Sequence, residues 1–154
     1  MRVWRLVRKR RLPDAFTGEG AHIAGGRWNS PGIRVVYTSG SLSLATLEYL
    51  TRANALRTPL DVYSIWLDIP DNLRLEIIRP DQLVKRWRQY DPPVLALRDI
   101  GDAWFARART AVLQVPSAII PEESNFLLNP THNDFHRIKI GQSTRHRFDA
   151  RLIR

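Results

Sequence analysis

The hydrophobic pattern of the chain changes period several times, and each period predicts a different kind of element. Residues 62–69 alternate between two sets of side chains, one of which is strongly apolar, so this segment predicts a strand with one buried face. The run at 33–39, IRVVYTS, is rich in β-branched and aromatic residues and also predicts a strand. The first residues, MRVWRLV, interleave cations with apolar side chains and favour an edge strand with a charged outer face.

Residues 39–54, SGSLSLATLEYLTRAN, change to a helical period. A serine at the start is a favourable N-cap, and the i, i+3, i+4, i+7 spacing predicts an inward stripe of Leu44, Leu47, Glu48 and Thr51. Glu48 is thus a carboxylate on an apolar stripe, where desolvation requires a partner or a function. The alternative is an i, i+4 ion pair with Arg52 on a solvated face.

The rest of the chain mixes strands and helices without a regular βαβ alternation. Residues 13–32 carry most of the glycines, and a loop of that length is typical of a functional segment. We therefore predict an α+β fold in a single domain, residues 1–154, with mixed sheets flanked by helices. The remaining predicted elements are a short helix at 80–90, a helical segment and then a strand at 111–117, a loop, and closing strands at 135–142 and 145–153.

The balance of charges predicts anionic partners. Twenty-four Lys and Arg against 15 Asp and Glu give a net charge of +9. Such a charge attracts nucleic acid, an acidic protein surface or a phosphate-bearing small molecule. A basic nucleic-acid-binding module is therefore one functional alternative. Its cations would come from the N-terminal cluster of Arg2, Arg5, Arg8, Lys9, Arg10 and Arg11.

Composition also narrows the chemistry. The absence of cysteine excludes disulfides, thiolate nucleophiles and cysteine-based metal sites, and it suits a cytoplasmic location. No apolar run approaches the ~20 residues of a membrane-spanning helix, and the basic start lacks the apolar stretch of a secretory signal. His132 and His136, with Asp134 between them, have the spacing of a metal pair but lack the glutamate of the zinc-protease helix. We interpret them as polar loop residues, and no metal is expected.

Four further residues each have a structural and a functional interpretation. Arg27 in GGRWN is either a snorkelling surface side chain or a ligand-facing cation, beside glycines that allow close approach. Tyr37 fits a core aromatic with a wet tip. Ser117 and Asn125 fit turns that hydrogen-bond to the nearby backbone. None of these residues is decisive alone.

Five segments in this order resemble the RES domain, a family named for an Arg, a Glu and a Ser: GEGAHIAGGRWNSPG, VVYTS, LATLEYL, AVLQVPSAIIPEESNFLLNPTH and FDARL. The resemblance runs from the loop near residue 14 to residue 152. By position, the family's Arg falls on Arg27, its Tyr on Tyr37, its Glu on Glu48 and its Ser on Ser117. Asn125 matches the first Asn of an N-x-L-x-N-P segment.

The resemblance implies an ADP-ribosyltransferase-like fold and an NAD-consuming toxin of a bacterial toxin–antitoxin system. The implied reaction releases nicotinamide and passes ADP-ribose to water, phosphate or a protein, with NAD as substrate and no other cofactor. The implied catalytic residues are Glu48, Arg27 and Tyr37, and the implied substrate-binding residues are Arg27, Tyr37, Ser117 and Asn125.

The resemblance also implies a partner, an antitoxin with an Xre-like helix-turn-helix that blocks the active site. Contact with DNA is then expected only through the antitoxin, and no contact with a membrane is expected. A homodimer or a hetero-oligomer with the antitoxin is the expected assembly. The remaining alternative is an inactive RES-like domain retained for partner binding.

Overall fold

The computed structural model describes residues 1–52, 61–90 and 95–152. Its helices are α1 (Glu19–Ala24), α2 (Leu42–Arg52) and α3 (Leu95–Arg107). Its strands are β1 (Arg2–Arg8), β2 (Val36–Ser39), β3 (Val62–Asp68), β4 (Leu75–Ile77), β5 (Val112–Pro116), β6 (Ser124–Leu128) and β7 (Lys139–His146). These form a seven-stranded sheet in the order β4-β5-β6-β2-β1-β3-β7, antiparallel except for the β4–β5 pair. The mixed sheet with its helices confirms the predicted α+β class.

Apolar side chains are buried on both faces of the sheet. Along β5, Val112 belongs to one buried cluster and its neighbour Leu113 to the other, because successive side chains of a strand point to opposite faces. The Leu113 cluster also contains Trp28 and Trp104, each no more than 2% exposed. The GGRWN loop and α3 therefore pack on the same face of the sheet, and the candidate site forms there.

The N-terminal strand lies inside the sheet, so the predicted edge position is wrong. β1 pairs with β2 on one side and with β3 on the other, and its Val3 is fully buried. Its cations are accommodated by specific partners. Arg2 makes a two-bond ion pair with Asp68, at 2.8 and 2.9 Å, and Arg5 donates to the Tyr37 carbonyl at 2.7 Å. These contacts between distant residues allow a basic strand to occupy an interior position.

Helix α2 has the predicted cap, but its buried face is rotated. The Ser41 hydroxyl accepts a hydrogen bond from the amide of Leu44 at 3.0 Å. The buried residues of α2 are Leu44 and Ala45, whereas Thr51 is exposed. Packing against β1 and β2 turns the helix this way, and it leaves Glu48 half-buried at the margin of the packed face. Residues 53 and 54 of the predicted helix lie outside the described residues.

Strand pairing also changes several other predictions. The loop predicted after residue 117 contains β6, which pairs with both β2 and β5. The predicted loop at 13–32 contains α1. The closing segment forms one strand, β7, where two were predicted, and residue 153 lies outside the described residues. Strand β3 buries side chains from both alternating sets, because it too lies inside the sheet.

The predicted helix at 80–90 is wrong as well. A 3-10 turn at Pro80–Gln82 is the regular structure formed there, and the following backbone makes turns instead. The backbone carbonyls of Trp87 and Gln89 accept hydrogen bonds from the side chain of Arg27. In a helix these carbonyls would instead accept from backbone amides nearby in the sequence. No helix in the described parts of the chain combines the length and the apolar character needed to cross a membrane.

Candidate active site

Three of the predicted site residues meet at one carboxylate oxygen. Oε1 of Glu48 accepts a hydrogen bond from the Ser117 hydroxyl at 2.9 Å and from the Asn125 amide nitrogen at 2.5 Å. Arg52 does not form the alternative i, i+4 ion pair with Glu48. Its guanidinium lies over the Tyr37 ring instead, 5.2 Å from the ring centroid.

The register of β2 and β6 explains the orientation of Asn125. Ser39 on β2 lies directly opposite Asn125 on β6, and the Ser39 hydroxyl donates to Oδ1 of Asn125 at 2.7 Å. With Oδ1 accepting from Ser39, the amide nitrogen faces Glu48 and donates to it. Ser39 was not recognised from the sequence, because nothing local indicates that it lies opposite Asn125.

Ser117 makes the turn contacts with the nearby backbone that the sequence predicts, and it also contacts Glu48. Its side chain is fully buried just beyond the end of β5. The hydroxyl oxygen accepts hydrogen bonds from the amides of Ile119 and Ile120 at 3.1 and 3.2 Å, which is the expected turn contact. The hydroxyl proton remains available and is donated to Glu48. The turn thus holds Ser117 in the position from which it contacts the carboxylate.

A cleft of about 420 Å³, including solvent at its mouth, opens beside Glu48. Arg5, Arg52, Tyr37 and Tyr49 are also among the residues that line it. One carboxylate, two cations and two aromatic rings are suited to a ligand that combines negative charge with a flat ring.

Arg5 is a candidate residue that the sequence did not single out. Burial, helped by the nearby charge of Arg52, lowers the pKa of Arg5 to about 10. Its Nε atom is buried and has no hydrogen-bond partner among the described residues. A buried cation with an unused donor beside a cleft is costly, and such groups concentrate at functional sites. The signal was hidden because Arg5 belongs to a run of cations on a strand expected at the sheet edge.

Arg27 is not among the residues that line this cleft, and it is not a snorkelling surface residue either. Its half-buried side chain donates from Nη1 to the backbone carbonyls of Trp87 and Gln89, both at 3.1 Å. Burial lowers the pKa of Arg27, and the charge of Glu48 acts in the opposite direction. Arg27 and Glu48 therefore influence one another electrostatically, although they form no ion pair.

The hydroxyl of Tyr37 forms hydrogen bonds with the GGRWN loop. It donates to Oδ1 of Asn29 at 2.7 Å and accepts from the amide of Trp28 at 3.1 Å. Residues of the loop thus take the hydrogen-bonding positions that the predicted wet tip would have given to water, and burial raises the pKa of Tyr37 to about 12. The loop folds over the hydroxyl and removes it from water, while the ring remains beside the cleft.

Asn29 is a second residue whose importance was missed. It is fully buried, and the two hydrogens of its amide nitrogen are shared among three backbone carbonyls that lie 3.0 to 3.1 Å away. Together with its bond from Tyr37, this contact set connects both ends of the GGRWN loop. The three carbonyls belong to Ala21, Ser30 and Ile33.

Gly26 is required by this packing. A Cβ at Gly26 would lie 2.4 Å from the Tyr37 hydroxyl oxygen and 2.9 Å from Oδ1 of Asn29, so any larger residue displaces them. The sequence suggested that the glycines admit a ligand; at Gly26, the space is occupied by Tyr37. Helix α3 adds a further contact, because Nε of Arg98 donates to the Gly26 carbonyl at 3.0 Å.

His132 makes one local hydrogen bond, as expected of a polar loop residue, and one contact with a more distant carbonyl. Its Nδ1 accepts from the amide of Asp134 at 3.0 Å, and its Nε2 lies 3.1 Å from the Ala108 carbonyl. Within residues 1–52, 61–90 and 95–152, no group of three His, Asp or Glu side chains is placed to hold a metal ion.

Comparison with known proteins agrees with the resemblance read from the sequence. The family model for the RES domain matches residues 2–149. The Prs ADP-ribosylating toxin of Sphingobium sp. is 37% identical over 98% of this chain and 96% of its own length. Toxin Res of Photorhabdus laumondii is 36% identical over 100% of this chain and 98% of its own length.

A solved structure shares the fold. A chain in the crystal structure of the M. tuberculosis MbcT–MbcA toxin–antitoxin complex superposes with a TM-score of 0.77, at 20% identity, over 94% of this chain and 83% of that chain. The match of the family model to almost the whole sequence, together with relatives of this similarity, places the protein: the chain belongs to the RES domain family.

Proposed function

We propose that this protein is a toxin enzyme that consumes NAD, breaking the nicotinamide–ribose bond and passing ADP-ribose to water, phosphate or a protein acceptor. The observation that carries the proposal is the Glu48 carboxylate, held by Ser117 and Asn125 beside a cleft whose lining includes two arginines. The names of the relatives support it, since they are called toxins and one is called ADP-ribosylating.

The chemistry of the bond fits a site with one carboxylate. When the bond breaks, its electron pair moves to the pyridinium nitrogen, so nicotinamide leaves as a neutral molecule and positive charge develops on the ribose. Glu48 would stabilise that charge. Glycosidases need a second carboxyl group to protonate their leaving oxygen, and this leaving group needs no proton. The acceptor then forms its bond to the same ribose carbon and loses its proton to solvent.

The hydrogen bonds to Glu48 suit this role. Ser117 and Asn125 both donate to Oε1 and so hold the carboxylate in one orientation. Oε2 accepts no hydrogen bond from the described residues and would face the ribose. The two donors thus orient the carboxylate without neutralising it.

The cations suit the pyrophosphate of NAD. Arg27 uses Nη1 for backbone carbonyls, and its Nε and Nη2 donate to no acceptor among the described residues, which leaves them for phosphate oxygens. Arg5, which also lines the cleft, would add positive charge near the phosphates. The ring of Tyr37 offers a stacking surface, while its hydroxyl holds the loop.

The proposal includes an antitoxin. An Xre-like partner covering the cleft would neutralise the toxin in the cytoplasm, and the net charge of +9 favours an acidic surface on that partner. Three of the six N-terminal cations are engaged within the protein, which makes direct binding of DNA less favoured. Arg2 pairs with Asp68, Arg5 donates to the Tyr37 carbonyl, and Arg11 pairs with Asp14 at 3.0 Å, whereas Arg8, Lys9 and Arg10 are exposed.

The decisive experiment incubates the purified protein with NAD, with and without inorganic phosphate, and measures nicotinamide and the ADP-ribose product. Release of nicotinamide by the wild type and its loss in Glu48→Ala and Arg27→Ala are the expected results. Expression in cells should arrest growth, and the same two variants should relieve the arrest. Folded protein that releases no nicotinamide with any acceptor, including a cell lysate as a source of protein acceptors, would overturn the proposal.

A further inference from the structure

One irregular segment of the chain contacts both halves of the candidate site. This segment, residues 83–90, is called the strap. It has no regular secondary structure and is fixed to the body of the protein by Leu83 and Trp87, which pack against the buried cluster that contains Trp28. Most of its other side chains are exposed to solvent.

The backbone of the strap holds Arg27. The carbonyls of Trp87 and Gln89 both accept from Nη1 of Arg27 at 3.1 Å. Two acceptors on one nitrogen restrict the rotation of the guanidinium plane. The position of the strap therefore determines where the remaining donor atoms of Arg27 point.

The residue between these two carbonyls reaches the other half of the site. Nε of Arg88 donates to the Ala118 carbonyl at 2.8 Å, and its Nη2 lies 3.3 Å from the Ile119 carbonyl. These carbonyls belong to the turn that begins at Ser117, whose hydroxyl accepts from the Ile119 amide and donates to Glu48. A planar guanidinium with several donors can bond two successive carbonyls, which a lysine ammonium does less well.

We propose that Arg88 is a positioning residue for the NAD reaction, an inference that rests on the proposed function. By joining the strap to the Ser117 turn, Arg88 sets the position of Arg27 relative to Glu48 without touching the substrate. The spacing matters because the pyrophosphate and the reacting ribose carbon belong to one molecule, so the group that binds one and the group that acts on the other must keep a fixed separation.

The kinetic test compares Arg88→Ala and Arg88→Lys with Lys85→Ala. Lys85 is an exposed strap residue with no partner among the described residues, so its loss removes the same charge without the tether. Arg88→Ala should lower kcat/KM for NAD by roughly tenfold to a hundredfold, chiefly through KM, because Arg27 binds phosphate both before and during the reaction. Arg88→Lys should lie between Arg88→Ala and wild type. Equal kinetics in Arg88→Ala and Lys85→Ala would overturn the proposal.

A double-mutant cycle separates positioning from general destabilisation. If Arg88 acts through Arg27, adding Arg88→Ala to an Arg27→Ala protein should change kcat/KM by no more than about twofold. If Arg88→Ala lowers kcat/KM by the same factor in the Arg27→Ala protein as in the wild type, Arg88 acts independently of Arg27, which contradicts the proposal.

Amide hydrogen exchange tests the strap without relying on enzyme activity. Peptides covering 83–90 and 117–120 should exchange faster in Arg88→Ala than in Lys85→Ala, while peptides from β1 and β3 should be unchanged. Unchanged protection in Arg88→Ala would overturn the tether itself. If the wild type releases no nicotinamide, the proposed function and the role of Arg88 in it both fail, and the exchange data still decide whether the tether exists.

Discussion

The Ser117 hydroxyl donates to Oε1 of Glu48 at 2.9 Å, although the two residues stand 69 positions apart in the chain. The Ser117 oxygen also accepts two backbone amides, so its proton has one direction left in which to point. The hydroxyl is thereby aimed at the carboxylate by the turn in which it lies. This contact joins the end of β5 to the middle of α2.

Glu48→Gln should remove catalysis while preserving the fold. The amide oxygen of Gln can still accept from Ser117 and Asn125, but it lacks the negative charge that would stabilise the ribose cation. We expect nicotinamide release to fall by roughly 10²- to 10³-fold, with a melting temperature close to that of wild type. Glu122→Gln, at an exposed position, is the control and should keep full activity. Near-normal release by Glu48→Gln would contradict the assignment.

Tyr37→Phe should weaken the GGRWN loop while leaving the ring beside the cleft. The change removes a donor to Asn29 and an acceptor for Trp28, with an expected loss of about 1–3 kcal/mol in the free energy of unfolding. Tyr37→Phe and Asn29→Ala should each also lower kcat/KM for NAD. Because the hydroxyl acts through Asn29, the loss in the double variant should be much smaller than the product of the two single losses. Tyr63→Phe, on β3, is the control. Additive losses would instead indicate that the hydroxyl touches substrate.

Gly26→Ala should imitate Tyr37→Phe. The added methyl group would lie 2.4 Å from the Tyr37 oxygen, and relief of that overlap must move the tyrosine or the loop. We expect loss of activity together with a reduced free energy of unfolding, measured by urea denaturation. Gly20→Ala is the control, since its Cβ would meet only Nη2 of Arg11, at an ordinary contact distance of 3.7 Å. Full activity and stability in Gly26→Ala would mean that the contact is not needed.

The free energy of unfolding should fall at alkaline pH because Tyr37 is buried. Its pKa is raised from 10.0 to about 12 in the folded protein, so the neutral hydroxyl contributes stability below about pH 10 that is lost as the pH rises towards 12. A shift of this size corresponds to about 3 kcal/mol at most. Arg5 acts in the opposite sense, since its lowered pKa lets the folded state release a proton more readily in the same range.

The comparison of wild type with Tyr37→Phe isolates the tyrosine from Arg5. The difference in their free energies of unfolding, measured in urea at about pH 8 and about pH 11, should shrink at the higher pH because only the wild type loses the contribution of the neutral hydroxyl. A difference that does not change with pH would count against a buried, neutral Tyr37.

Arg5→Met should separate stability from function. The buried guanidinium has an unpartnered Nε and a lowered pKa, but it also donates to the Tyr37 carbonyl. Replacing it with an apolar side chain of similar length should therefore change stability by no more than about 1–2 kcal/mol, because relief of the buried charge is offset by the lost hydrogen bond. Affinity for NAD should nevertheless fall, measured as KM for nicotinamide release. A variant that is less stable but binds NAD normally would indicate that Arg5 has a structural role alone.

Local sequence determined the elements that depend on neighbouring residues. The Ser41 cap and helical spacing specify α2, and β-branched residues specify β2. The cap and the β-branched run are readable from the sequence because they depend on residues only a few positions apart. The resemblance of longer segments to the RES domain, and not local spacing, is what predicted Arg27, Glu48 and Ser117 as members of one site.

Tertiary structure alone decided the features that depend on distant segments. Strand β6 forms because β2 and β5 lie on either side of it, and β1 is interior because β2 and β3 both pair with it. The Tyr37 hydroxyl is dry because a loop folds over it, and the strap is irregular where its carbonyls bind Arg27. Strand pairing and hydrogen bonds between distant residues override local preference, and neither leaves a periodic trace in the sequence.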